Sequence, residues 1–198
     1  MERLLTSRNP NMPILIIRPT IIGSAVKSPF PGYGPISAMP FESFFKFMTI
    51  NPGSGVFHPS EGHVSGTNLF DEIPVDWVAN MTLLHIAAGT TGPVHASSEA
   101  WFQKTFEGIL QGLSAVGGRP KIVYVTDGSV KPCFWASLFS VAMRDWAFSA
   151  KRSEKFKGVK GALSIGVEGI DWEAYERMRA EKVWRDIESS TKVLQAKI

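Results

Sequence analysis

Residues 14–17 read Ile-Leu-Ile-Ile, an aliphatic run with no polar residue interleaved. Without alternation, such a run suits a strand covered on both faces, as in a parallel sheet packed under helices. A strand of that kind needs neighbours on both sides. It stops at Arg18-Pro19-Thr20 and resumes as Ile21-Ile22-Gly23. In a parallel α/β sheet, ligands lie beyond the carboxyl ends of the strands, which is where Arg18, Pro19 and Thr20 fall. Proline has no N–H, so it is expected to end the ladder and leave the following peptide groups free to face a ligand.

The chain has enough material to build around such a strand. Its 198 residues are 44% hydrophobic and 20% charged, which suits an ordinary globular core. The formal charge of +3 is too mild, and the basic residues too scattered, to argue for nucleic acid. A phosphorylated small molecule suits that balance equally well. The single cysteine, Cys133, excludes an internal disulfide framework and points to a reducing compartment. A cytoplasmic location is the expectation. The opening residues hold no apolar core of signal-peptide length, and no stretch reaches the roughly 18 apolar residues of a membrane span.

Residues 2–6 read as the last turn of a helix, stopped by SRNPNMP. Between Ser24 and Met39 lies a proline- and glycine-rich connection, long for a passive loop. Pro40 can open a short helix with Phe41, Phe44, Phe45 and Met48 on one side. Asp76 is expected to cap a helix whose Val78, Met81, Leu84, His85 and Ala88 recur at helical spacing, with Gly89 as its stop. PVHAS reads as a strand. Ser97 or Ser98 is expected to cap a second helix carrying Phe102, Phe106, Ile109, Leu110 and Leu113, and IVYV comes next as a strand. This order of elements predicts an α/β domain. Beyond it, residues 133–150 are apolar nearly all round, KRSEKFKGVKG is basic, and a last helix starts at an Asp171 cap. That helix offers Trp172, Tyr175, Val183, Trp184 and Ile187 for packing, with Glu173/Arg177 and Glu181/Arg185 as i,i+4 pairs.

Familiar catalytic motifs are missing. No serine sits in a GxSxG elbow, and GSG at 53–55 lacks the spacing of a dinucleotide fingerprint or a P-loop. His58 and His63 have no third metal ligand in sequence reach. His85 reads as a satisfied core histidine, and His95 as a strand residue that hydrogen-bonds or lines a cleft.

The segments "ILIIRPTIIGSAVKSPFPGY", "DEIPVDWVANMTLLHIAA" and "GPVHASS", in that order and spacing, resemble the fatty acyl-CoA reductases, the male-sterility or thioester-reductase branch of the extended short-chain dehydrogenases. The resemblance covers about residues 1–100. It implies the C-terminal part of a Rossmann-type reductase that uses NADPH to reduce an acyl-CoA or acyl-carrier thioester to an aldehyde or alcohol. Residues 1–130 would form the partial Rossmann domain and 131–198 a helical appendage. The resemblance places Pro19, Thr20, Ile21 and Ile22 beside the nicotinamide, with backbone hydrogen bonds to its carboxamide, and Arg18 orienting the loop. It sets Ser24–Met39 near the acyl substrate and gives Asp71, Pro74, Val75 and Asp76 an architectural role.

Two hallmarks of that family are absent. There is no glycine-rich fingerprint, and Tyr33, Tyr124 and Tyr175 are followed four residues later by Ser37, Gly128 and Arg179 rather than lysine. The lysine of the family's YxxxK pair helps its tyrosine donate a proton. ERLL at 2–5 resembles the tail of the helix that carries that lysine, so the chain is expected to start downstream of the catalytic pair and to be inactive alone. Three readings are open: one portion of a reductase, a noncatalytic relative serving a biosynthetic pathway, or a lipid-surface module. The last would use the segment from Phe134 to Lys160, with Lys151, Arg152, Lys155, Lys157 and Lys160 meeting anionic head groups in peripheral contact with an internal membrane. If Ile14–Ile17 is a central strand, a partner is expected to cover its open edge.

Overall fold

The computed structural model describes residues 2–50, 56–57, 69–102, 104–113, 123–124 and 148–195. Helix α1, Glu2–Arg8, leads into strand β1, Leu15–Pro19. β1 pairs in parallel with β6, Gly92–Ala96, in the register Leu15 to Gly92 through Pro19 to Ala96. Strand β2, Ile21–Gly23, comes almost at once and pairs in parallel with β5, Glu72–Pro74. Short pairs join β3, Val56–Phe57, to β8, Val123–Tyr124, and β4, Leu69–Phe70, to β7, Lys104–Thr105. The helices are α2, Pro40–Ile50, α3, Val75–Ala87, α4, Phe106–Leu113, and α5, Trp172–Gln195.

The aliphatic run is thus a parallel strand, as its composition requires, but it is not enclosed on both faces. Leu15, Ile16 and Ile17 are half-buried, and Arg18 and Pro19 are exposed. The ladder explains this. The Gly92 N–H donates to the Ile14 carbonyl, and the Thr20 N–H to the Ala96 carbonyl. In a parallel ladder, alternate residues face the partner, so even-numbered peptides of β1 face β6 and those of Leu15, Ile17 and Pro19 face outward. Among the described residues no strand pairs with that outward edge. Proline is tolerated there because the edge needs no donor from it.

Two apolar clusters build the core. One joins Phe41 and Phe45 of α2 and Phe70 of β4 to Ile109 of α4 and Ala180 and Val183 of α5. The other places Trp77, Met81 and Leu84 of α3 against Ile73, Ala96, Phe156 and Ile165. The expected α3 stripe is present, and Gly89, at φ +60°, ends the helix in the left-handed region. The helix expected to start after Ser97 or Ser98 instead begins at Phe106, after a strand. Residues 148–170 are turns with one short 3-10 segment at Glu154–Phe156. The apolar stretch 133–147 lies outside the described residues, as do His58 and His63. No helix among the described residues is long and apolar enough to cross a membrane. Two of the basic residues assigned to a lipid surface are tied to the protein. Arg152 donates to the carbonyls of Thr91 and Pro93, and Lys155 to the Thr90 hydroxyl.

Candidate functional site

The turn between β1 and β2 hands the chain from one partner strand to another. The Thr20 N–H bonds the Ala96 carbonyl at 3.0 Å, and one residue on, the Ile21 N–H bonds the Asp71 carbonyl at 3.2 Å. Proline therefore does not leave the next two peptides free, contrary to the sequence expectation, because β5 takes over where β6 ends. Since Ile21 and Gly23 face β5, the alternation of a parallel ladder turns the Ile22 peptide away from it. The Arg18 side chain is directed to α1. Its guanidinium makes a two-pronged pair with Glu2 of α1. That hydrogen bond, aided by the guanidinium charge, holds the Glu2 carboxyl below its ordinary range.

Asp71 and Asp76 anchor the turn and the loop beyond β2. Asp71 accepts from the Thr20 hydroxyl, from both hydroxyls of Ser97 and Ser98, and from the peptide N–H groups of Ser98 and Phe148. Ser97 and Ser98 thus serve the aspartate rather than a helix terminus. Asp76 makes no cap to α3, whose N-cap position is Pro74. Its carboxylate instead takes the peptide N–H groups of Val26, Lys27 and Ser28 at 2.8–3.1 Å. A carboxylate collecting three consecutive donors holds a turn that no side chain of that turn could hold by itself. The architectural role expected of this motif is present, directed at the 24–39 loop. That loop also closes on itself, Ala25 and Tyr33 being paired through the backbone.

Beneath the loop lies a buried ionic cluster that the sequence reading missed. Arg179 of α5, fully enclosed, donates to Glu42 of α2, to both carboxylate oxygens of Glu72 on β5, and to Glu176 one turn back. Lys104 of β7 pairs with Glu176 and lies 3.9 Å from Glu72. Burial alone would lower the Arg179 guanidinium, but Glu72, Glu176 and Glu42 outweigh it and keep it protonated. Burial likewise pushes the Glu42 carboxyl up, and the Arg179 charge and hydrogen bond more than reverse this. Glu72, with two other carboxylates nearby, is pushed up by burial despite Arg179 and Lys104. Gly23 is required here, because a Cβ at that position would lie 2.8 Å from the Glu72 carboxylate. The signal was present in the sequence: Glu176 and Arg179 fall on the same stripe of α5 as Tyr175, Ala180 and Val183.

Tyr175 and Lys182 carry this cluster to the loop. The buried Tyr175 hydroxyl donates to the Ser24 carbonyl at 2.6 Å, and burial raises its phenol well above the ordinary range. Lys182 donates to the Ser24 hydroxyl and to the carbonyls of Gly32 and Gly34. Burial lowers its ammonium below the usual lysine range, with Glu42 opposing and Arg179 adding to the shift. Gly32, at φ +80°, and Gly34, at φ +127°, supply backbone that L side chains rarely adopt, which turns both carbonyls onto the one amine. Next to this clamp opens a cleft of about 1010 Å³ between the loop, α2 and α5. Phe30, Tyr33 and Ile36 line it together with Lys46, Lys182 and Arg185. A second cavity of about 320 Å³, lined by Val26, Ile170, Ala174 and Tyr175, lies on the other side of Pro31 and Met178. Among the described residues no cluster of His, Cys, Asp and Glu suits a metal ion.

No protein-family model matches the chain. No curated protein matches it either. Solved structures do. RMD from Pseudomonas aeruginosa complexed with NADPH is 13% identical at a TM-score of 0.50, over 91% of this chain and 51% of that one. UDP-N-acetylglucosamine 4-epimerase from Methanobrevibacter ruminantium M1, in complex with UDP-N-acetylmuramic acid, is 14% identical at 0.51, over 91% and 49%. UDP-glucuronic acid 4-epimerase from Bacillus cereus, in complex with NAD, is 16% identical at 0.50, over 90% and 50%. The chain spans about half the length of these structures. At such identities the likeness is one of fold, and the expected class holds: the chain has the Rossmann-type α/β architecture of these structures, with a C-terminal helix.

Proposed function

We propose that this chain forms the substrate-facing side of a nicotinamide-nucleotide-dependent reductase acting on acyl thioesters. The supporting observation is the handover at Thr20 and Ile21. It leaves Pro19 facing away from β6 and the Ile22 peptide facing away from β5, within a segment that resembles the fatty acyl-CoA reductases. Of the four residues assigned to the cofactor, Pro19 has no N–H, and those of Thr20 and Ile21 are engaged. In this reading the Ile22 N–H meets the carboxamide of NADPH, which supplies a hydride when bound. Thr20 and Asp71 hold the turn rigid, while Asp76 and Lys182 hold the loop that borders the acyl thioester. No tyrosine of this sequence has a lysine four residues on, so this reading assigns the described residues no proton-delivery pair.

Calorimetric titration of the purified chain tests the reading. Hexadecanoyl-CoA is expected to bind and UDP-sugars are not; the reverse would move the assignment to sugar-nucleotide chemistry. Mixed with NADPH and hexadecanoyl-CoA, the chain alone is expected to consume no NADPH.

A further inference from the structure

The two cavities share one face of α5. Tyr175, Met178, Lys182, Arg185 and Ser189 succeed one another at spacings of three and four residues, which places them in a single stripe. Lys182, Arg185 and Ser189 line the larger cleft, Tyr175 the smaller cavity, and Met178 both. From the Asp171 cap to Ser189 the stripe runs about 27 Å at 1.5 Å per residue. Its ends differ in character. At the C-terminal end stand Lys46 and Arg185, with Asp186 bonded to Lys46 and no carboxylate paired with Arg185 among the described residues. Toward the other end the walls are chiefly Val26, Ile170, Ala174 and Met178, with Lys27 and Asp171 also in the lining. At the midpoint, Lys182 touches Ser24, the residue immediately after β2.

We infer that this stripe is a track for a linear ligand with an anionic head and an apolar tail, and that Met178 sets the length of tail it accepts. The ligand class is an acyl chain on a phosphate-bearing carrier, an assignment that rests on the acyl-thioester reading above. The anionic head faces Arg185 and Lys46, and the tail runs toward Met178. There the thioether packs on Gly32 so closely that a Cβ on that glycine would sit 2.9 Å from the sulfur. With Pro31, Met178 forms the wall between the two cavities. Its flexible, unbranched side chain is a partition that substitution can remove.

The test is a binding series with saturated acyl-CoA thioesters of increasing length against the intact chain. Affinity is expected to rise by roughly fourfold per methylene and then level off. In Met178→Ala the plateau is expected to move to longer chains, because the tail enters the second cavity. In Met178→Phe it is expected to move to shorter ones, and this second variant guards against an alanine protein that fails to fold. Arg185→Gln is expected to weaken every CoA thioester roughly fivefold at low salt and leave the plateau in place. Free fatty acids showing the same Met178-dependent plateau, with no CoA thioester bound, would retain the Met178 assignment and remove the thioester reading. A plateau that neither Met178 variant moves would overturn the inference even if acyl-CoA binds.

Discussion

Arg179 is the residue on which most of the buried charge depends. Glu42, Glu72 and Glu176 reach it from three elements, and among the described residues Lys104 is the other cation ion-paired within the cluster. Replacing Arg179 with methionine keeps much of the volume but leaves three carboxylates in a low-dielectric interior. The expected loss is about 3–5 kcal/mol, measured as a lower urea midpoint. Arg179→Lys should recover little, since one ammonium cannot reproduce a planar fork that meets both Glu72 oxygens. Asp76 supports a different prediction, because its three acceptor contacts all go to the loop. Asp76→Ala orphans the N–H groups of Val26, Lys27 and Ser28, at a cost of about 1–3 kcal/mol if they stay buried. Amide exchange should therefore accelerate at 26–28 and remain unchanged in the first turn of α3. Acceleration in α3 instead would restore the capping role read from the sequence.

Among the elements, those that rest on periodicity were legible. α3 needed only its apolar stripe and Gly89, and α5 needed only its Asp171 cap, whose side chain accepts from the Ala174 N–H at 2.9 Å. β1 was legible from its lack of alternation. The handover from β6 to β5 was not, because it depends on two strands more than fifty residues downstream. The same is true of Asp76, Ser97 and Ser98: local grammar makes them helix caps, and tertiary partners claim them instead. The α5 stripe carried Glu176 and Arg179 in plain sight, but their partners were hidden for a similar reason, as they come from α2, β5 and β7. His85, assigned to the core by its place on the α3 stripe, is enclosed there between the hydroxyls of Thr90 and Ser153. Burial, with the charges of Lys155 and Arg152, lowers its pKa from the ordinary 6.5. The native state thus binds its proton less readily than the unfolded chain, so His85 contributes stability above about pH 6.5 that is lost as the pH falls. Thermal melts between pH 7.5 and 5.5 should show a declining midpoint. In His85→Gln, which keeps a polar partner for the two hydroxyls, the decline should be shallower, and an unchanged slope would show that another group titrates.

For the molecule as a whole, the outward edge of β1 is the feature with the widest consequence. It presents the peptide groups of Leu15 and Ile17, no described strand covers it, and Leu4, Leu5 and Met12 are exposed in the segment leading into it. Unpaired edges of parallel strands are templates for another strand, and nature blunts them with proline or charge. Here both devices, Arg18 and Pro19, sit only at the carboxyl end, leaving the first half of β1 unprotected. The purified chain is therefore expected to associate in a concentration-dependent way, seen by sedimentation velocity, unless a partner occupies the edge. Leu15→Pro is the discriminating variant. By the ladder's alternation, its lost N–H comes from the outward edge, so the bonds to β6 survive while docking on β1 is blocked. Association should fall in Leu15→Pro while the melting of α3 and α5 is retained. A wild-type chain that melts sharply as a monomer at every concentration would show that this edge needs no partner.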